Sequence, residues 1–148
     1  MLPRLLLALV FACATGAVAQ ESDPSLPTRQ AMTDQTEAFM AKLAQTKTLQ
    51  AYQSIRPYLG VSVSAFDQSA ADAETYFQKV TDKAGHAVDY DQVLSESIGN
   101  HFHHVVWLQK FPAAAMAWTF TFYQPKEGWK LVGVSYSTEL GALYRVDH

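Results

Sequence analysis

The hydrophobic period of this chain changes at Gly85. Before it, apolar residues recur every three or four positions. After it, they alternate in short runs separated by turn residues. A chain patterned in this way forms helices first and an antiparallel sheet second, the α+β arrangement.

In the helical half, Phe66, Ala70, Ala73, Phe77, Val80 and Ala84 form one stripe of core-facing residues. Ser64 can cap this helix with Asp67 three residues on, and Gly85 is placed to end it. Upstream, Met32, Thr36, Phe39, Met40 and Leu43 keep the same spacing. They predict a helix from Arg29 or Thr33 to about Ile55, bent near Thr46–Thr48 and stopped by Pro57.

In the other half, strands are expected over 86–98, 101–111, 115–124 and 129–138. Turns are expected at Gly99-Asn100, at Pro112-Ala113-Ala114 and over Pro125–Gly128. Short turns between consecutive strands make a meander. Period-two alternation puts Met116, Trp118, Phe120 and Phe122 on one side of the third strand, and Val132, Val134 and Tyr136 on one side of the fourth. A turn centred near Ala113 pairs Val106 with Phe120 and Leu108 with Trp118. The expected core face is then Phe102, Val106, Leu108, Trp118, Phe120, Phe122, Val132 and Val134. The tail from Glu139, with Leu140, Leu143 and Tyr144, is expected to pack back on the domain.

The N-terminus reads as a targeting segment. "MLPRLLLALVFACATGAVAQ" has an early charge at Arg4, an apolar stretch from Leu5 to Cys13, and Ala17-Val18-Ala19 before Gln20. This is the anatomy of a signal peptide cut between Ala19 and Gln20. The alternative is a lipoprotein signal with anchoring at Cys13. Bulky Phe11 stands against that, where such signals usually carry a small residue. Residues 20–28 read as a mobile leader and 29–148 as a single domain.

Cleavage after Ala19 removes the only cysteine, so the mature chain has no disulfide and no thiol chemistry. It also removes Arg4 and takes the formal charge from −3 to −4. With basic residues scattered singly, nucleic acid is not an expected partner. No other run approaches the ~18 apolar residues of a spanning helix, so the mature protein is expected to be soluble. Export without disulfides suits a bacterial periplasm or secretion.

"HFHHVVW", residues 101–107, holds three of the five histidines. Alternation puts His104 on the expected core face, between Phe102 and Val106. His101 and His103 fall on the opposite face, with His103 across from Tyr123. Two strand residues at i and i+2 are roughly 6.6 Å apart, so His101 and His103 are weak candidates for metal ligands. No third ligand has a fixed spacing to them, and no metal or other cofactor is expected.

"DYD" sets Asp89 and Asp91 on one strand face and Tyr90 on the other. Paired carboxylates and a tyrosine could perform proton abstraction, although a solvated strand start accounts for them as well. There is no Gly-rich phosphate loop, G-x-S-x-G elbow, H-E-x-x-H or EF-hand loop, and no catalytic residue is assigned. His104, Tyr90, Phe102, Trp118 and Phe120 are the candidate cavity residues.

The stretch "AMAWTFTFYQPKEGWKLVGVSYST" resembles the last hairpin of NTF2-like proteins, the superfamily with SnoaL-like and ketosteroid-isomerase-like members. The shared features are the aromatic strand from Trp118 to Tyr123, the tight turn, and Gly128, Trp129, Lys130 and Leu131 after it. The resemblance extends over most of residues 30–140. It implies helices packed on a curved sheet of about four strands, often enclosing a cavity. It implies no reaction, because the superfamily hosts enzymes, binders and scaffolds, and the isomerase pattern does not map residue by residue onto this chain.

The combined expectation is an exported domain that binds a small apolar ligand or a protein partner without catalysis. A homodimer through the sheet is among the arrangements it allows. The alternative is a cofactor-free isomerase or hydrolase-like enzyme with a His or Asp/Tyr site in the cone.

Overall fold

The computed structural model describes residues 23–144. The signal segment, Cys13 and the Ala19–Gln20 junction lie outside the described residues. Three helices, α1 (Arg29–Ala44), α2 (Thr48–Ile55) and α3 (Val63–Ala84), precede four strands, β1 (Asp89–Ile98), β2 (Phe102–Lys110), β3 (Ala115–Tyr123) and β4 (Lys130–Ser137). The strands form one antiparallel sheet in the order β1-β2-β3-β4. The fold is α+β, with the helices laid across one face of a meander.

The helix boundaries have local causes. The Thr28 hydroxyl accepts the Ala31 amide at 3.1 Å, so α1 starts at Arg29 and Thr33 lies inside it. Thr46 at φ 60° takes the left-handed conformation that ends a helix, and the expected bend is a full break between α1 and α2. Helix α3 starts at Val63, one residue ahead of Ser64, with Ser62 in the capping position. Asp67 does not complete a capping box. Its carboxylate accepts a two-pronged bond from Arg56, at 2.9 and 3.0 Å.

Aromatic rings fill the space between the layers. Phe39 packs edge-on against Phe120 and Trp118, with centroids 4.9 and 5.4 Å away. Phe77 stacks on Trp118 at 5.1 Å. Trp118, Phe120, Phe122, Phe39 and Tyr52 are buried, as the alternation in β3 predicts for its three.

The face of β2 is the reverse of the expected one. The core-facing set is His103, Val105, Trp107 and Gln109, all buried, whereas Phe102 is 42% exposed on the outer face. The cause is the β2–β3 turn. The Phe111 amide donates to the Ala114 carbonyl at 2.8 Å, so only Pro112 and Ala113 form the tip. Val105 then faces Phe120 and Trp107 faces Trp118, one residue away from the expected register. A one-residue slip exchanges every side chain between faces. Val106, Leu108 and His104 therefore belong to the outer face, and His103 lies opposite Phe122 rather than Tyr123.

A second irregularity sits at Val132, where the β3–β4 ladder shifts between Thr121 and Phe122. The extra residue lets Leu131 as well as Val134 and Tyr136 reach the core. Val132, placed in the core from alternation, is the bulged residue and only half-buried.

The described part of the leader is held in place. Leu26 is buried and exchanges two backbone hydrogen bonds with Trp129, at 2.9 and 2.8 Å. At the other end, residues Leu140–Leu143 form a short 3-10 turn; Leu140 and Leu143 are half-buried and Tyr144 is 81% exposed.

Candidate functional site

The interior of the layer pair is closed by Trp118, Phe120 and their neighbours, and the open spaces among the described residues lie at its edges. They are a cleft of about 430 Å³ between α2 and α3, a smaller one beside β4, and one at the end where α3 meets β2. There a cavity of about 270 Å³ is bounded by the C-terminal half of α3, the α1–α2 break and the end of β2. Its walls mix the rings of Phe77 and Phe111 with Thr48, Glu74, Gln109 and His86. This volume is close to the ~300 Å³ lower end of small-ligand pockets.

Gln109 is the fixed point of this cavity. It is 3% exposed, and its Oε1 accepts the Trp118 indole N–H at 3.0 Å. An indole nitrogen can only donate, so the amide cannot be flipped and its nitrogen lies on the other side. That Nε2 makes no hydrogen bond among the described residues. That nitrogen is not among the polar atoms fully shielded from solvent, so it stays reachable, and a guest with an acceptor would bond it in place of water.

Neither Gln109 nor Glu74 was singled out from the sequence. Gln109 could have been found, because a glutamine at a core-parity position of an otherwise apolar strand marks a buried amide. That signal was hidden by the one-residue register difference.

The residues expected to line a cavity lie elsewhere. His104 is on the outer face, its Nε2 3.3 Å from Glu96 Oε2. Phe102, beside it, packs on Tyr123 at 4.9 Å. Tyr90 is half-buried against Trp107, at 5.9 Å. Trp118 and Phe120 are core, and only Trp118 acts on the cavity, through Gln109. Asp89 and Asp91 do not form a free carboxylate pair, because Lys110 reaches both, at 2.8 and 2.5 Å. The Lys110 hydrogen bond, aided by the Tyr90 amide, holds the Asp89 carboxyl below its ordinary range.

The histidine pair is split. His101 is exposed, with Nδ1 3.4 Å from the Gln124 carbonyl. His103 is 4% exposed and clasped by two serines of β1, Ser97 at 2.8 Å on Nδ1 and Ser95 at 3.1 Å on Nε2. Burial, then the charges of Arg29 and His104, push its pKa down and favour the neutral ring. Both nitrogens are thus engaged in holding β1 to β2. Among the described residues no group of three or more His, Cys, Asp or Glu is placed to hold a metal ion. No helix among them is long and apolar enough to cross a membrane.

No protein-family model matches the sequence. No curated protein is significantly similar to it either. Among solved structures, one assigned as a calcium/calmodulin-dependent protein kinase type II association domain from Thiobacillus denitrificans is similar. It is 17% identical with a TM-score of 0.46, over 78% of this chain and 98% of that one.

Proposed function

We propose that this chain is an exported NTF2-like domain that binds a small polar molecule without transforming it. The observation that carries the reading is the locked, buried Gln109 amide on the wall of an end cavity. The cavity walls alternate rings with hydrogen-bonding groups, so the guest is more polar than the apolar ligand expected from the sequence. A planar molecule with a carbonyl acceptor fits such a slot.

Benzamide tests the reading. Added to the mature chain labelled with ¹⁵N, it should shift the amides of Phe77, Thr81 and Phe111. Gln109→Glu keeps the acceptor for Trp118 and deletes the donor, and it should weaken benzamide about tenfold, the effect of one good hydrogen bond. Shifts confined to the outer sheet face, or none, would exclude the cavity as the site.

Export and pairing belong to the same proposal. The signal anatomy of residues 1–19 supports export. The outer face of the sheet supports self-association, since it carries Ile98 at 74% and Phe102 at 42% exposure, with Leu108 half-buried on the same face. Among the described residues the buried side chains of the helices cluster with the opposite, core face, and exposed apolar patches mark interaction sites. Native mass spectrometry of the chain recovered from an exporting host reads both points. A species starting at Gln20 with twice the monomer mass is expected. Lipid on Cys13 or an intact Met1 would refute the cleavage, and a monomer at micromolar concentration would refute the dimer.

A further inference from the structure

Glu74 adds a second chemical demand to the same cavity. It lies on the α3 wall, and its Oε2 is shielded from solvent without any hydrogen bond. Its Oε1 receives only one long bond, 3.5 Å from Gln78 Nε2 one turn along the helix. Glu74 as a whole is half-buried, and a carboxylate oxygen shielded in this way is best satisfied by a cation or a donor that reaches it. Asp82 lies on the same wall, and no lysine or arginine lines the cavity among the described residues. The imidazole of His86 is the one basic side chain on its walls. The rings of Phe77 and Phe111 complete the surroundings, and aromatic faces attract cations that have lost their water.

We infer that the guest is a small planar organic cation of the amidinium or guanidinium type, held by Glu74 and oriented by the Gln109 amide. This rests on the cavity reading above and goes further by fixing the charge of the ligand. An amidinium presents two N–H groups in a plane and matches a carboxylate in a forked pair. The last torsion of a glutamate is soft, so the free oxygen can turn toward such a guest. Gln109 Nε2 then donates to an acceptor elsewhere on the molecule, or to a water the guest retains. Carboxylates and phosphates are excluded by the same arrangement, since Glu74 and Asp82 would both repel them.

Three probes of one shape separate the possibilities: benzamidine, benzamide and benzoate, titrated into the mature chain at neutral pH and followed by calorimetry and amide shifts. Benzamidine should bind at least tenfold more tightly than benzamide, and benzoate should not bind measurably. Glu74→Gln should bring benzamidine down to the level of benzamide. The variant should fold with a nearly unchanged Tm, since Glu74 is half-buried and its one side-chain bond is long. Equal binding of benzamidine and benzamide by the wild type would overturn the cation inference and leave the cavity reading standing. A preference for benzamidine that survives in Glu74→Gln would overturn the role of Glu74. Failure of all three probes to move the cavity amides would remove the cavity reading itself.

Discussion

Phe120→Ala should lower the stability of the domain by about 3–5 kcal/mol, the usual loss for a truncated core aromatic. Phe120 is wholly buried, with Phe39 edge-on 4.9 Å away and Val105 and Val134 as its strand partners. The hole would lie between the layers, beneath Phe39 of α1. Thr121 points to the outer face and is only half-buried, so Thr121→Ala should change stability by about 0.5 kcal/mol or less. Urea unfolding of the two variants measures both. A larger loss for Thr121→Ala than for Phe120→Ala would mean that the faces of β3 are exchanged.

Trp118→Ala should cost still more, at the upper end of about 3–5 kcal/mol for the ring, with about 1–3 kcal/mol added for the polar group it abandons. The ring touches Phe39, Tyr52, Phe77 and Tyr136, with centroids 4.9–6.4 Å away. Its N–H is the sole partner of Gln109 Oε1 among the described residues. Domains of this size have only about 5–15 kcal/mol of stability in total, so the variant should be largely unfolded at 37 °C by circular dichroism. Trp118→Phe separates the two contributions. It keeps most of the packing, loses the hydrogen bond, and should cost about 1–3 kcal/mol. It should also weaken benzamide binding, because the amide of Gln109 would no longer be held in one orientation. A Trp118→Phe variant with wild-type stability and wild-type benzamide affinity would show that the indole does not position Gln109.

What could be read from the residue order depended on how decisive each local pattern was. The α3 stripe and the β3 alternation each contrast apolar with polar positions. The stripe named all four buried residues of α3, with Val80 and Ala84 half-buried at its end. The alternation named Met116, Trp118, Phe120 and Phe122 but not Ala117, which is also buried. In β2 the run Val105-Val106-Trp107-Leu108 is apolar on both faces, so parity had to be taken from the turn, and a turn centre is uncertain by half a residue. That ambiguity moved His103 and His104 to each other's faces. The cavity was less legible still. It arises where α3, the α1–α2 break and the end of β2 converge, residues that stand far apart in the chain. Glu74 looks like one more exposed helix charge until Gln78 and the cavity wall are seen around it. The Val132 bulge has no signal in a period-two pattern, because a bulge is a departure from it.

The two outer strands of the sheet bear on how the protein avoids precipitating. Strand β1 is interrupted by a bulge at Val93 and carries Asp89, Asp91 and Glu96. Strand β4 is capped at its start by the Leu59–Gly60 segment, whose Gly60 amide donates to the Leu131 carbonyl at 2.8 Å. The segment can sit this close because residue 60 has no side chain; a Cβ there would stand 2.9 Å from that of Lys130. Charges, a kink and a covering segment are the means by which natural sheets discourage the stacking of strand upon strand that leads to fibrils. Open-ended growth at the rims is thereby discouraged, and the association proposed above is left to the outer face of the sheet, where two copies meeting face to face make a closed pair.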